Sequence, residues 1–150
     1  MGSKDLEEKI NIASAETFAK EMKEIEERSL RMDIDLKLCG RTTFILDPTR
    51  IDFEQKKKEY VLQFKDEGAT MYDCKAYAFL TIDKATEEIR MFVSEIRFYD
   101  DDEHQEEDGA DRDIMEIKLS KEEEAFFRKV YEEEKAKNEK AKKKHGVELD

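Results

Sequence analysis

Polar and hydrophobic positions alternate with a period of two through much of this chain, most clearly over residues 70–99, TMYDCKAYAFLTIDKATEEIRMFVSEIRFY. Tyr72, Cys74, Ala76, Ala78, Leu80 and Ile82 share one parity, and so, in a second run, do Ile89, Met91 and Val93. Successive side chains on a strand point to opposite faces, so each run predicts a strand with one buried face. Asp83-Lys84-Ala85-Thr86 between them is short and polar, which suits a hairpin loop. Ile96 and Phe98 fall on the opposite parity, which predicts either a β-bulge near Ser94-Glu95 or burial of both faces.

Before this hairpin the period changes once. Phe18, Met22 and Ile25 are four and three apart, the face of an amphipathic helix. Ser14 can cap that helix, with Ile10 and Ile12 on a preceding strand; alternatively Leu6, Ile10 and Thr17 carry it back to Lys4. It ends near Arg28 or Ser29, where Met32, Ile34, Leu36 and Leu38 begin to alternate with Asp33, Asp35 and Lys37. Gly40 breaks this strand, and a short β segment over Thr42 to Leu46 is closed by Asp47-Pro48, since the residue before proline avoids helix. Ile51 and Phe53, then Lys56-Lys57-Lys58, then Tyr60, Leu62 and Phe64 read as a second hairpin with a lysine tip; a short helix over 49–58 is the rival. Glu67-Gly68-Ala69 is a loop.

After the long hairpin, Ile114, Ile117 and Leu119 predict a last short strand. Ser120-Lys121-Glu122-Glu123 fits a capping box. The helix it opens carries Ala125, Phe126, Phe127, Val130 and Tyr131 as an apolar docking patch. Beyond Tyr131 only Ala136 and Ala141 are apolar before Gly146, so the rest predicts a solvated extension with a lysine-rich end and Gly146 as its stop. The expected fold is α+β: an antiparallel sheet of about six strands, a meander of hairpins, packed with an N-terminal helix and a long C-terminal helix. One domain is expected over 1–134, with a charged helical tail over 135–150.

Composition adds a charge asymmetry. Charged residues are 45% of the 150, against roughly 25% in an ordinary domain, while 38% is hydrophobic and fourteen side chains are aromatic, enough for a core. The net charge is −12 and the pI about 4.8. Residues 100–124 hold thirteen Asp or Glu against three Lys or Arg, whereas 135–144 hold six lysines and one glutamate. Direct binding to a phosphate backbone is disfavoured by this charge, and basic partners are favoured. Cys39 and Cys74 sit in apolar strand contexts without metal or redox spacing, which predicts buried reduced thiols in a reducing compartment. No apolar run approaches the roughly 20 residues of a membrane span, and MGSKDLEEKI is too polar for a secretory signal and lacks a myristoylation pattern. A cytoplasmic protein without membrane contact is expected.

Candidate chemistry is sparse. His104 lies among carboxylates, but placing Gly109 at the sixth position of an EF-hand loop puts His104 where the first aspartate ligand belongs, so a weak divalent site is only an alternative to a solvated loop. A Ser–His or Cys–His pair would have to use His104 or His145 in charged segments. Carboxylate pairs are uninformative among forty acidic residues, and the five glycines are scattered at expected element boundaries, 2, 40, 68, 109 and 146, with no phosphate loop. Phe44, Tyr60, Phe64, Tyr77, Phe79, Phe92 and Phe98 are accounted for by core packing; the alternative is a base-stacking platform beside Arg50, Lys56, Lys57 and Lys58.

The functional expectation is a non-enzymatic acidic interaction protein that needs no cofactor. Asp100, Asp101, Asp102, Glu103, Glu106, Glu107 and Asp108, displayed from a sheet edge, can imitate phosphate spacing and occupy the basic channel of a nucleic-acid-binding protein. Small acidic inhibitors from phages and mobile elements, including some anti-CRISPR proteins, are similar in type, with no shared residue motif. The alternatives are a purely solubilising loop, a single-stranded nucleic-acid-binding accessory protein with an acidic loop, and a small enzyme or weak divalent-metal-binding domain.

Overall fold

The computed structural model of the chain describes residues 2–71, 73–99 and 109–144, with the backbone alone over 2–11 and 142–144. Helix α1 spans Gly2–Arg28. It takes the earlier of the two starts: residues 8–13 are helical and Ser14 lies inside the helix instead of capping it. The Ser29 N–H bonds Ile25 O at 3.0 Å, and alternation then takes over.

Strands β1, Leu30–Leu36, and β2, Gly40–Leu46, form a two-stranded hairpin. Leu38, expected on the strand, belongs to the three-residue turn that ends at Gly40, whose φ of 70° is the left-handed conformation such turns require. Strands β3, Ile51–Gln55, and β4, Glu59–Glu67, form the lysine-tipped hairpin, and no helix occurs over 49–58. Strands β5, Cys74–Asp83, and β6, Ile89–Phe98, are the long hairpin, followed by β7, Ala110–Ile117, and helix α2, Lys121–Lys144. The five-stranded sheet has the order β3-β4-β5-β6-β7, all antiparallel and each strand beside its chain neighbour. With β1 and β2 there are seven described strands.

One face of the five-stranded sheet holds Leu62, Phe64, Ala76, Ala78, Leu80, Ile82, Met91 and Val93, all buried. Two elements cover it and share one core: the β1–β2 hairpin through Met32, Ile34, Leu36, Phe44 and Leu46, and α2 through Phe127, Val130 and Tyr131. The Phe127 ring meets Phe64 edge-on at 6.0 Å, and Tyr131 meets Tyr60 at 5.7 Å. The capping box closes as expected: Ser120 N donates to Glu123 Oε1 at 2.8 Å, and Glu123 N to Ser120 Oγ at 3.1 Å. Ala125, expected in the docking patch, is exposed.

Strand register settles the parity of β6 and β7. The β5–β6 and β6–β7 pairings run through Ser94 and Glu95 without a bulge. Glu95 takes the inward position that parity assigns it and is fully buried, so Ile96 and Phe98 fall on the outer face. The irregular register lies instead between Gln63 and Glu67 on β4. On β7 it is Met115 and Ile117 that pack inward, while Ile114 is 62% exposed. Gly68, just after β4, lets the sheet approach β2: a Cβ there would stand 2.6 Å from Thr42 Cγ2 and 2.7 Å from Phe44 Cε1. Beside it, Ala69 N donates to Thr43 O at 2.8 Å.

Candidate functional site

Asp100, Asp101, Asp102, Glu103, Glu106, Glu107 and Asp108, with His104, lie outside the described residues, as do Tyr72 and His145. The strands on either side of the acidic segment are described. Phe98 pairs with Ala110, and Tyr99 N donates to Gly109 O at 2.8 Å, with Gly109 at a φ of 73°. The Tyr99 hydroxyl donates to Asp111 Oδ2 at 2.8 Å, and that bond to a carboxylate is the first cause of the phenol's raised pKa. Arg97 lies 5.4 Å from the Tyr99 ring centroid and 3.7 Å from Asp73 Oδ2, while Phe98 N bonds Asp73 O at 2.8 Å. The segment 100–108 is thus the connection of a β6–β7 hairpin whose stem is tied by main-chain and side-chain bonds.

The Lys56-Lys57-Lys58 tip and the β6–β7 connection lie at opposite ends of the sheet. The Lys56-Lys57-Lys58 tip, exposed, stands beside the β5–β6 loop, where Lys84 N donates to Lys58 O at 3.0 Å and Glu59 opposes Asp83. Asp83 Oδ1 accepts the N–H groups of Thr86 and Ala85 at 2.9 and 2.8 Å, which holds its pKa below the usual carboxylate value and fixes the β5–β6 loop.

The aromatic side chains separate into two sets. Phe44 and Phe64 are in the core, and Tyr60 lies under α2, stacked on Phe53 at 5.3 Å. Tyr77, Phe79, Phe92 and Phe98 lie on the outer face of the five-stranded sheet, where Phe79 and Phe92 stack at 5.4 Å and 20°. Arg90 sits 5.3 Å from the Phe92 centroid and donates to Glu116 Oε2 at 3.1 Å. By register Lys75 and Arg112 share this face.

Glu95 is a buried ionisable group that the parity of β6 places inward. Its Oε1 accepts the N–H of Leu38 at 2.6 Å and of Cys39 at 2.9 Å, so a β6 side chain caps the β1–β2 turn. Oε2 has no hydrogen-bond partner. Cys39 and Cys74 are buried free thiols beside it. Burial, then the neighbouring Cys74 thiol, pushes the Cys39 pKa up to about 12, the opposite of a nucleophile's requirement. The signal available in sequence was a glutamate continuing the inward parity of Ile89, Met91 and Val93.

Among the described residues, no group of three His, Cys, Asp or Glu side chains is arranged to hold a metal ion, and no helix is long and apolar enough to cross a membrane. Compared with family models, with curated proteins and with solved structures, the chain matches none.

Proposed function

We propose that this is a non-enzymatic acidic interaction protein that blocks a basic nucleic-acid-binding protein by presenting carboxylates in place of phosphates. Asp100, Asp101, Asp102, Glu103, Glu106, Glu107 and Asp108 are the contacts this reading assigns. Its main support is the tied β6–β7 stem, in which Tyr99 bonds both Gly109 and Asp111. A connection anchored this way gives a dense negative segment a fixed origin at the end of the sheet opposite the lysine tip. Steering by such a field raises association rates and is screened over about 10 Å at 0.1 M salt. The test is affinity capture of basic proteins from lysate with the wild-type chain and with the seven carboxylates changed to Asn or Gln. Capture should fall in graded fashion as charges are removed and as salt is raised. Capture unchanged by neutralisation would reduce the segment to a solubilising loop.

A second reading, single-stranded nucleic-acid binding, is favoured by the half-buried Phe79–Phe92 stack on the outer sheet face, with Lys75, Arg90 and Arg112 on the same face. Fluorescence anisotropy of a labelled oligothymidine in roughly 150 mM salt separates the two. Binding that disappears in Phe79→Ala and Phe92→Ala would replace the mimic reading with this one.

A further inference from the structure

Helix α1 leaves a hydrophobic stripe uncovered: Phe18 is 64% exposed and Met22 42%. Phe18, Met22 and Ile25 fall within about 60° of one another around the axis and extend over about 10 Å. At its C-terminal end the stripe runs into a groove of about 310 Å³ between α1, β2 and the end of β4, with Met22, Ile25, Ile45 and Ala69 as its apolar lining. That volume is at the small end of ligand pockets, room for one or two large apolar side chains. Two ion pairs stand at the groove. Arg28, on α1, grips the fully buried Asp47 through Nε and Nη2 at 2.9 and 2.8 Å, and Arg50 meets Asp66 at 2.7 Å.

The electrostatics of this surface select its occupant. Four carboxylates, Glu26, Asp47, Asp66 and Glu67, line the groove; Asp47 is paired with Arg28 and Asp66 with Arg50, so the excess negative charge is that of Glu26 and Glu67. On α1 the 100° step per residue puts Glu21 and Glu26 on the two flanks of the stripe, while Lys20 and Lys23 fall on the far side. A second copy of α1 laid on this stripe would bring like charges together; a cationic segment would not. We infer that the α1–β2–β4 groove docks a short cationic amphipathic segment of a partner protein, which seats an apolar side chain beside Met22 and Ile45 and sets Lys or Arg against Glu21, Glu26 and Glu67. This surface uses none of residues 100–108, so the inference stands or falls apart from the acidic segment.

The test uses the full chain and two labelled helical peptides, one of leucine and lysine and one with glutamate in place of lysine. The lysine peptide should bind and the glutamate peptide should not. The double change Phe18→Ser, Met22→Ser alters only exposed side chains and should leave the thermal melt in place while weakening binding at least about tenfold. Glu26→Gln with Glu67→Gln should weaken binding severalfold and flatten its salt dependence. The chain neutralised over 100–108 should retain the wild-type affinity. Unchanged binding in the Phe18, Met22 variant, or loss of binding in the 100–108 variant, would overturn the inference. So would light scattering that finds a dimer dissociated by the Phe18, Met22 change, since a second copy would then be the occupant.

Discussion

Glu95 and Cys39 stand 56 positions apart in the chain and meet through one hydrogen bond, from the Cys39 backbone N–H to Glu95 Oε1 at 2.9 Å. With the companion bond from Leu38 N at 2.6 Å, it joins the two sheets by a carboxylate where no strand pairing connects β6 to β1 or β2. Burying a carboxylate is costly, and acceptance of two main-chain N–H groups offsets that cost. Glu95→Ala should destabilise the fold by about 3 kcal/mol, because it strands both donors and leaves a cavity. Glu95→Gln keeps an acceptor oxygen and should cost less. Urea unfolding measures both; equal losses would mean that side-chain volume, not hydrogen bonding, holds the turn.

The Arg28–Asp47 pair makes stability depend on acid. The bidentate Arg28 guanidinium is the main cause that lowers the Asp47 pKa from 3.8 to about 2, assisted by the Thr49 N–H at 2.9 Å and its hydroxyl at 2.8 Å. A carboxylate whose folded pKa is depressed stabilises the fold above its unfolded pKa and loses that contribution as pH falls through its folded one. On the order of 2 kcal/mol should therefore disappear between about pH 4 and pH 2. Unfolding free energies over that window should lose this component of their slope in Asp47→Asn.

The Cys39 thiol gives the opposite sign. Because the folded Cys39 pKa is raised to about 12, the neutral thiol stabilises the fold below an unfolded pKa of roughly 8.5, and this is lost as pH rises toward 12. At pH 8 neither Cys39 nor Cys74 should react with Ellman's reagent in the native protein, and both should react in urea. Rapid reaction of the folded chain would show that the β1–β2 turn opens far more readily than its bonds to Glu95 imply.

Glycines at two turns should respond differently to alanine. Gly68→Ala drives a methyl group into Thr42 and Phe44, both fully buried, and should cost about 1–3 kcal/mol. Gly40→Ala meets nothing within 4 Å and should cost only the left-handed backbone strain, about 1 kcal/mol. Thermal melts of the two variants should rank in that order.

Helix α2 should separate into a docked part and a dispensable one. Phe127→Ala removes a fully buried ring and should cost about 3–5 kcal/mol. Deleting residues 136–150 keeps Lys135, whose ammonium lies 5.8 Å from the Tyr60 and Tyr131 rings, and should leave the melt nearly unchanged.

Much of this architecture was legible in the residues because hairpins are local: the parity of Cys74 to Ile82 and of Ile89 to Val93, the lysine tip, and the Ser120–Glu123 box each depend on a few neighbouring positions. What escaped depends on distant ones. Glu95 breaks an apolar pattern without breaking strand register, since its partners are main-chain groups at positions 38 and 39, and with Ile96 and Phe98 on the opposite parity the pattern reads as a bulge or as burial of both faces. Ile114 and Met115 are adjacent and both apolar, so parity alone could not choose the inward one. The groove beside α1 combines residues 22 to 69 from three elements, and Arg28 at the end of α1 pairs with Asp47 in its lining. Of the site assigned in sequence, only the strands that carry residues 100–108 can be read in the structure.

The meander also sets the order in which the chain can assemble. Every strand of the five-stranded sheet bonds to its neighbour in sequence, so each pairing closes a short loop at small entropic cost, and zippering can proceed from either hairpin. The capture of the Leu38-Cys39 turn by Glu95 is different: it joins points 56 positions apart and requires β6 to be already in place. Sheet formation should therefore be quick, and the seating of the first hairpin on the finished sheet should be the slow, cooperative step that produces the native core.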